Sequence, residues 1–239
     1  MHYTFNVRVG VHGEEENRMT LSREVVIPGM LAEYQAFGQL VRGLSDEDWD
    51  TPSRCEGWRV ADVAAHVIGQ LTDVAALRLD GLGTPEVTAR QVEEHRGRTP
   101  GELADELDSS VKQAADLAAA FDDAAWESAA PAGVTGTLGF GIEALWFDTS
   151  LHADDIRSAL GRLPSVGDAL APSLSHISQV LTDQGWGPAD LALDGFEAFP
   201  VSGGGGRTVS GDAYGFVLAS TGRGDTAAFG LDESVNIYR

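Results

Sequence analysis

Apolar residues recur at a spacing of three and four between residues 22 and 161, which is the period of amphipathic helices. One such row covers residues 22–42, a second runs to about residue 80, and a third runs from Thr99 to about residue 122. A shorter helix is predicted over residues 84–97, and a last long helix ends near Gly161, since glycine often follows a helix C-terminus. Four long helices joined by moderate connections predict a bundle.

The pattern changes after Pro164, where glycines become frequent and apolar runs become short. This part is predicted to contain a helix over residues 173–183, strands at 191–193, 198–201 and 207–210, and a helix ending at Ser220. Residues 1–18 alternate apolar and polar side chains, which predicts an edge strand or an N-terminal extension. The fold class is therefore predicted to be α+β, with a helical bundle at residues 19–163 and a small α/β C-terminal domain at 164–239.

The composition excludes several functions. A net charge of −21 and a pI near 4.4 argue against nucleic acid and anionic membrane surfaces as partners, because such a chain repels phosphate. The sequence has no apolar run long enough for a bilayer and no secretory signal at its start, so we predict a cytoplasmic protein. Cys55 is the single cysteine, which excludes an internal disulfide and a multi-thiolate zinc site.

The most informative chemical feature is Asp148 with His152, one turn apart in an otherwise apolar helical row. A buried helix face seldom carries a carboxylate and an imidazole without a partner. His66 lies on another predicted helix, so two facing helices could present two histidines and an aspartate with one coordination position open, as a catalytic Zn²⁺ requires. Spacing alone leaves the alternative open, because an Asp and a His at i,i+4 also form an ordinary side-chain pair.

Other polar residues have simpler interpretations. Asp154 and Asp155 are expected to face solvent or to pair with Arg157, although Asp155 could instead orient His152. His95 and His176 are expected to be solvated or hydrogen-bonded locally.

Several motifs resemble the mycothiol-dependent maleylpyruvate isomerase family, part of the DinB-like metalloprotein superfamily. They are PSRCEGW at residues 52–58, DVAAH at 62–66 and DTSLHADDIRSALG at 148–161, followed by GDA at 211–213 and TGR at 221–223. The resemblance implies a DinB-like four-helix bundle followed by the small C-terminal domain. It also implies that His66, Asp148 and His152 are the metal ligands, with Asp148 where the isomerases usually have glutamate.

The resemblance further implies that mycothiol supplies the nucleophile, and that Arg223 matches a second-domain arginine that reaches toward the site in the isomerases. Arg223 could equally cap the carbonyls at a helix end. A divalent metal, most simply Zn²⁺, would help mycothiol to isomerise or conjugate a small electrophilic substrate. Two alternatives remain: a non-catalytic protein that binds a metal and a small ligand, and a metal-assisted hydrolase. The expected state is a monomer or homodimer.

Overall fold

The computed structural model describes residues 21–131, 136–165 and 167–239, so the strand or extension predicted for residues 1–18 lies outside the described chain. Among the described residues, Ser22–His176 form one compact unit and Ile177–Arg239 belong to a second. The helical domain and the small α/β domain expected from the sequence are both present. The sequence-based boundary between residues 163 and 164 stays a prediction.

Most of the N-terminal unit is helical. Its helices are α1 (Arg23–Arg42), α2 (Asp46–Trp49), α3 (Val60–Ala75), α4 (Pro85–His95), α5 (Pro100–Ala118), α6 (Asp123–Trp126), α7 (Leu138–Ala159) and the first half of α8 (Leu170–Asp183). Helix α3 ends about five residues before the predicted position, and α5 ends about four residues before it.

Short polar side chains determine where several helices begin. The Thr99 hydroxyl accepts a hydrogen bond from the Glu102 amide, and the Glu102 carboxylate accepts one from the Thr99 amide, which is a capping box at the start of α5. Thr137 caps α7 by accepting from the Phe140 amide at 3.2 Å. Helix α7 therefore begins directly after Thr137 and includes Leu138 and Gly139 in its first turn.

Four long helices enclose the core of the N-terminal unit. Helix α1 packs against α5 and α7, and α3 packs against the same two helices, so each has two neighbours among the other three. Helix α4 packs on the outer side of this set against α3. The core between them is apolar and includes fully buried side chains of Tyr34, Phe37, Ile68, Leu71, Leu103, Leu107 and Ile156.

The C-terminal unit contains a three-stranded sheet. Its strands are β1 (Ala189–Leu193), β2 (Phe199–Val201) and β3 (Arg207–Gly211), followed by helix α9 (Ala213–Ser220). The order is β2-β1-β3, with β1 antiparallel to β2 and parallel to β3. Asp212 caps α9, since its carboxylate accepts from the Gly215 amide at 2.6 Å. Alternate residues of β1 are buried, as expected for a strand with one face on a core. No helix in the described part of the chain is both long and apolar enough to cross a bilayer.

The α1–α7 contact depends on a glycine. A Cβ atom at Gly29 would overlap with the six-membered ring of Trp146, whose side chain is buried. We expect Gly29→Ala to lower the free energy of unfolding by about 2 kcal/mol, because the buried ring or the two helices would have to shift to make room for the methyl group. Gly101→Ala in α5 is the matched control, because no atom lies within 4 Å of the added methyl group. It should raise stability by up to about 1 kcal/mol. Urea unfolding of both variants tests this, and equal stabilities would contradict it.

Candidate metal centre

The three residues that the sequence singled out come together between α3 and α7. His66 Nε2 lies 3.4 Å from Asp148 Oδ2, and His152 Nε2 lies 3.5 Å from Asp148 Oδ1. One donor atom from each residue lies within 4.8 Å of the other two. Both histidines are buried, whereas the Asp148 side chain is about one-fifth exposed (21%), so the set is closed on its histidine side and more open at the carboxylate.

These separations fit a bound ion better than direct hydrogen bonds. Nitrogen–oxygen hydrogen bonds are usually about 2.7–3.2 Å long, and both Nε2–Asp148 distances exceed that range. Two donors about 2.1 Å from a tetrahedral Zn²⁺ lie about 3.4 Å from each other. The residues present can therefore hold a divalent ion of that size.

The hydrogen bonds of His66 prepare its Nε2 atom for coordination. Gln91 Nε2 donates to the Asp73 carboxylate at 2.7 Å, so the amide oxygen of Gln91 faces His66 Nδ1 at 3.0 Å. Because that oxygen can only accept, His66 Nδ1 carries a proton and Nε2 is left with its lone pair. Asp73 is held in turn by Arg78 and Arg90.

His152 is oriented in the same way by a carboxylate. Its Nδ1 donates to Asp155 Oδ2 at 2.8 Å, which again leaves Nε2 for a metal. Arg54 binds Asp155 Oδ1 and Asp154 Oδ2, both at 2.5 Å. The expectation that the two aspartates face solvent is wrong, because both are buried and accept hydrogen bonds from Arg54. Asp155 instead takes the orienting position that the sequence left as the alternative.

Asp148 has a supporting partner of its own. The Tyr34 hydroxyl donates to Gln70 Oε1 at 3.0 Å, which turns Gln70 Nε2 toward Asp148 Oδ2 at 3.3 Å. Burial raises the pKa of Tyr34, so this hydroxyl stays protonated and remains a donor. All three candidate ligands are thus oriented by neighbouring side chains.

The electrostatics around His66 set up competition between a proton and a metal. Burial lowers the pKa of His66, but the negative charge of the nearby Asp148 and the hydrogen bond to Gln91 outweigh burial and raise the pKa above its ordinary value. Protonation of His66 adds a second proton at Nε2, which competes with a metal for that atom, so metal affinity should fall as the pH falls.

Cys55 and Trp58 border this centre. The Cys55 thiol donates to Asp155 Oδ2 at 3.1 Å, and its sulfur lies 4.0 Å from His152 Nδ1. The Trp58 ring lies 5.5 Å from the His66 ring and 6.3 Å from the His152 ring, centroid to centroid. Both residues belong to the turn that precedes α3, so that turn forms one wall of the centre.

Within the described residues, the two other histidines, His95 and His176, do not join the three donors. His95 is hydrogen-bonded to the Gln91 carbonyl and to Glu106, close to the local bonding expected. The expectation for His176 is wrong, because its ring stacks on Phe140 and Phe147 and its Nδ1 is buried without a partner in the described chain. Burial lowers the pKa of His176 to about 4, although the charge of Asp148 acts in the opposite direction.

Arg223 belongs to the C-terminal unit. Its Nη1 donates to the Thr221 carbonyl at 3.0 Å, just after the end of α9. That contact is the carbonyl-capping arrangement that the sequence allowed for this residue.

Sequence reasoning missed several supporting residues, although one signal was available. His66, Gln70 and Asp73 are spaced by four and three residues, so they form a polar row on one face of the otherwise apolar α3. Arg54 and Gln91 carry no such signal, because their partners lie far away in the sequence.

Comparison with known proteins places these features in a family. Residues 30–157 match the family model described as the mycothiol maleylpyruvate isomerase N-terminal domain, and this range contains all three candidate ligands. A search of curated proteins gives no match.

Two solved structures have a similar fold. A crystal structure of the mycothiol-dependent maleylpyruvate isomerase has a TM-score of 0.62 at 19% identity, and the match covers 89% of this chain and 96% of that one. A histidine-to-alanine mutant of the isomerase has a TM-score of 0.60 at 20% identity, with 85% and 90% covered. At this identity the similarity establishes the fold and leaves the activity to be argued from the site.

Proposed function

Because this chain belongs to the mycothiol maleylpyruvate isomerase family, we propose that it is a metal-dependent enzyme that uses mycothiol to isomerise or conjugate a small electrophilic substrate. The observation that carries this proposal is the spacing of His66, Asp148 and His152, whose donor atoms lie at the separations of ligands on one ion. The sequence resemblance assigned the same three residues.

In this proposal the chain holds a divalent metal through His66 Nε2, His152 Nε2 and the Asp148 carboxylate. Imidazole and carboxylate donors suit Zn²⁺, and three protein ligands leave a position for another group. When bound, the ion supplies positive charge that lowers the pKa of a thiol and favours the reactive thiolate.

The protein's own residues prepare the ligands. Gln91 and Asp155 keep a proton on Nδ1 of the two histidines, so each ring presents Nε2 without changing tautomer. Gln70 and Tyr34 hold the Asp148 carboxylate in place. Trp58 limits the access of water to one side of the two imidazoles.

Cys55 is not the proposed nucleophile. Its thiol already donates its proton to the buried Asp155 carboxylate, so the group is held in a hydrogen bond that supports His152. A thiol brought from outside the protein is therefore the simpler source of thiolate, in agreement with the mycothiol of the family. Arg223 remains a prediction from the resemblance, as a residue that binds a carboxylate or enolate oxygen of the substrate.

The proposal is tested by turnover with and without mycothiol. Wild-type protein, stripped of metal and reloaded with Zn²⁺, is assayed with maleylpyruvate and with simple electrophiles, beside His66→Ala. We expect turnover that requires both mycothiol and metal and that falls at least about 100-fold in His66→Ala, because a lost ligand weakens metal binding.

Each other outcome identifies a different function. Metal-dependent hydrolysis without a thiol would indicate a hydrolase instead. Metal binding with no turnover of any compound would indicate a non-catalytic relative.

A further inference from the structure

Arg54 lies in the turn between α2 and α3, and its side chain reaches α7. The amide and the hydroxyl of Ser53 both donate hydrogen bonds to the Trp58 carbonyl and close the turn. The residues on either side of these two form an antiparallel backbone bridge. These bonds lie within the turn and its flanks, so they hold the backbone around Arg54 without involving α7. The guanidinium is about one-quarter exposed (25%), whereas Asp154 and Asp155 are almost completely buried (3% and 0%).

The guanidinium bridges two consecutive aspartates with different nitrogens. Its Nε donates to Asp155 Oδ1 and its Nη2 donates to Asp154 Oδ2, both at 2.5 Å. Charge-assisted bonds from a planar donor group fix orientation as well as distance. A rotation of the Asp155 carboxylate would break one of these bonds.

The second oxygen of Asp155 is the one that faces the metal centre. Oδ2 accepts from His152 Nδ1 at 2.8 Å and from the Cys55 thiol at 3.1 Å. With Oδ1 held by Arg54, Oδ2 is directed at the imidazole, so the rotation of the His152 ring is tied to a residue of the preceding turn.

Charge balance supports the same role. Asp148, Asp154 and Asp155 bring three carboxylates to this region, and Arg54 neutralises one of them. Removal of Arg54 would take away the guanidinium that both buried carboxylates bind, which is costly.

We propose that Arg54 is a positioning residue of the metal centre, which holds the His152 ring in its coordinating orientation through Asp155. This inference rests on the proposed function, because it presupposes that the three donors bind a metal. Arg54 itself has no contact with the metal or the substrate in this proposal.

The test measures metal affinity rather than turnover. Zn²⁺ affinity is measured by competition with a chromophoric chelator for wild type, Arg54→Gln, Arg59→Gln and Asp154→Asn, and unfolding is followed for each. Arg59 is the matched control, because it lies in the same connection and its ion pairs within the described residues are with the more exposed Asp50 and Asp62. Asp154→Asn weakens the half of the contact that faces away from His152.

We expect Arg54→Gln to lose about 10- to 100-fold in Zn²⁺ affinity, as for other residues that orient a metal ligand. Arg59→Gln should keep the wild-type affinity. Asp154→Asn should lose stability while keeping most of its affinity, which separates a positioning role from a structural one. The visible spectrum of bound Co²⁺ should change in Arg54→Gln alone, because the ligand field reports the orientation of the His152 ring.

Two results would overturn the inference. If Arg54→Gln binds Zn²⁺ as tightly as wild type, Arg54 has no positioning role, although the metal site itself stands. If wild type binds no metal, the proposed function fails and this inference fails with it. Should Arg54→Gln not fold, Arg54→Lys replaces it, since a single ammonium group cannot reproduce both bonds and an intermediate loss is expected.

Discussion

His152→Ala should abolish the thermal stabilisation that Zn²⁺ gives to the wild-type protein. An ion that binds only the folded state stabilises it by about 2.7 kcal/mol at a concentration 100 times its dissociation constant. For a chain of this size that corresponds to a rise in Tm of about 5–10 °C. Removing His152 removes one of three donors and leaves Asp155 without its imidazole partner, so the variant should show no rise. Differential scanning calorimetry with and without Zn²⁺ measures this directly.

The matched control is His95→Gln, which removes another buried imidazole of the same unit. His95 is bonded to the Gln91 carbonyl and to Glu106, so its loss should lower the Tm of the metal-free protein. The Zn²⁺-dependent rise should remain, because all three donors are still present. A wild-type rise that survives in His152→Ala would show that Zn²⁺ binds elsewhere.

The sequence predicted the candidate ligands better than it predicted their surroundings. Asp148 and His152 are one turn apart, so any helix through that segment places them on one face. The pairing of α3 with α7, which brings His66 to them, depends on how the helices pack and cannot be read from the period of either helix. The family resemblance supplied that step in the sequence analysis, and the structure places the three donors together.

The supporting residues could not be predicted for a physical reason. Arg54 and Asp155 are 101 residues apart, and only the tertiary fold makes them neighbours. Asp154 and Asp155 were expected at the surface because aspartate is seldom buried unless it is paired. The sequence did not show that Arg54 is their partner. The turn that carries Arg54 has no hydrophobic periodicity, so nothing in it predicted contact with α7.

His176 was also misjudged, because the polarity of a single side chain says little about its site. Its segment was read as mixed, yet the ring packs against Phe140 and Phe147. The packing has a measurable consequence, since a neutral imidazole is compatible with two aromatic neighbours and a buried, unbonded nitrogen, whereas a charged one is not.

His176→Phe should make the protein less sensitive to acid. In the unfolded chain this histidine takes up a proton near pH 6.5, whereas in the folded protein burial lowers its pKa to about 4. Between these pH values the unfolded state binds more protons, so the free energy of unfolding falls as the pH decreases. The part of the free energy of unfolding that depends on a neutral His176 is fully present above pH 6.5 and is lost by about pH 4. This loss amounts to about 3 kcal/mol.

Urea unfolding of metal-free wild type and His176→Phe at several pH values between 7 and 4 measures this contribution. Other titrating groups affect both proteins alike, so the difference between the two curves isolates residue 176. We expect the free energy of unfolding of the variant, relative to that of wild type, to rise by about 3 kcal/mol as the pH falls from 7 to 4. The change should be steepest between pH 6 and 4.5. Parallel curves would mean that the folded and unfolded states protonate this histidine equally, which would require the ring to reach water in the folded protein.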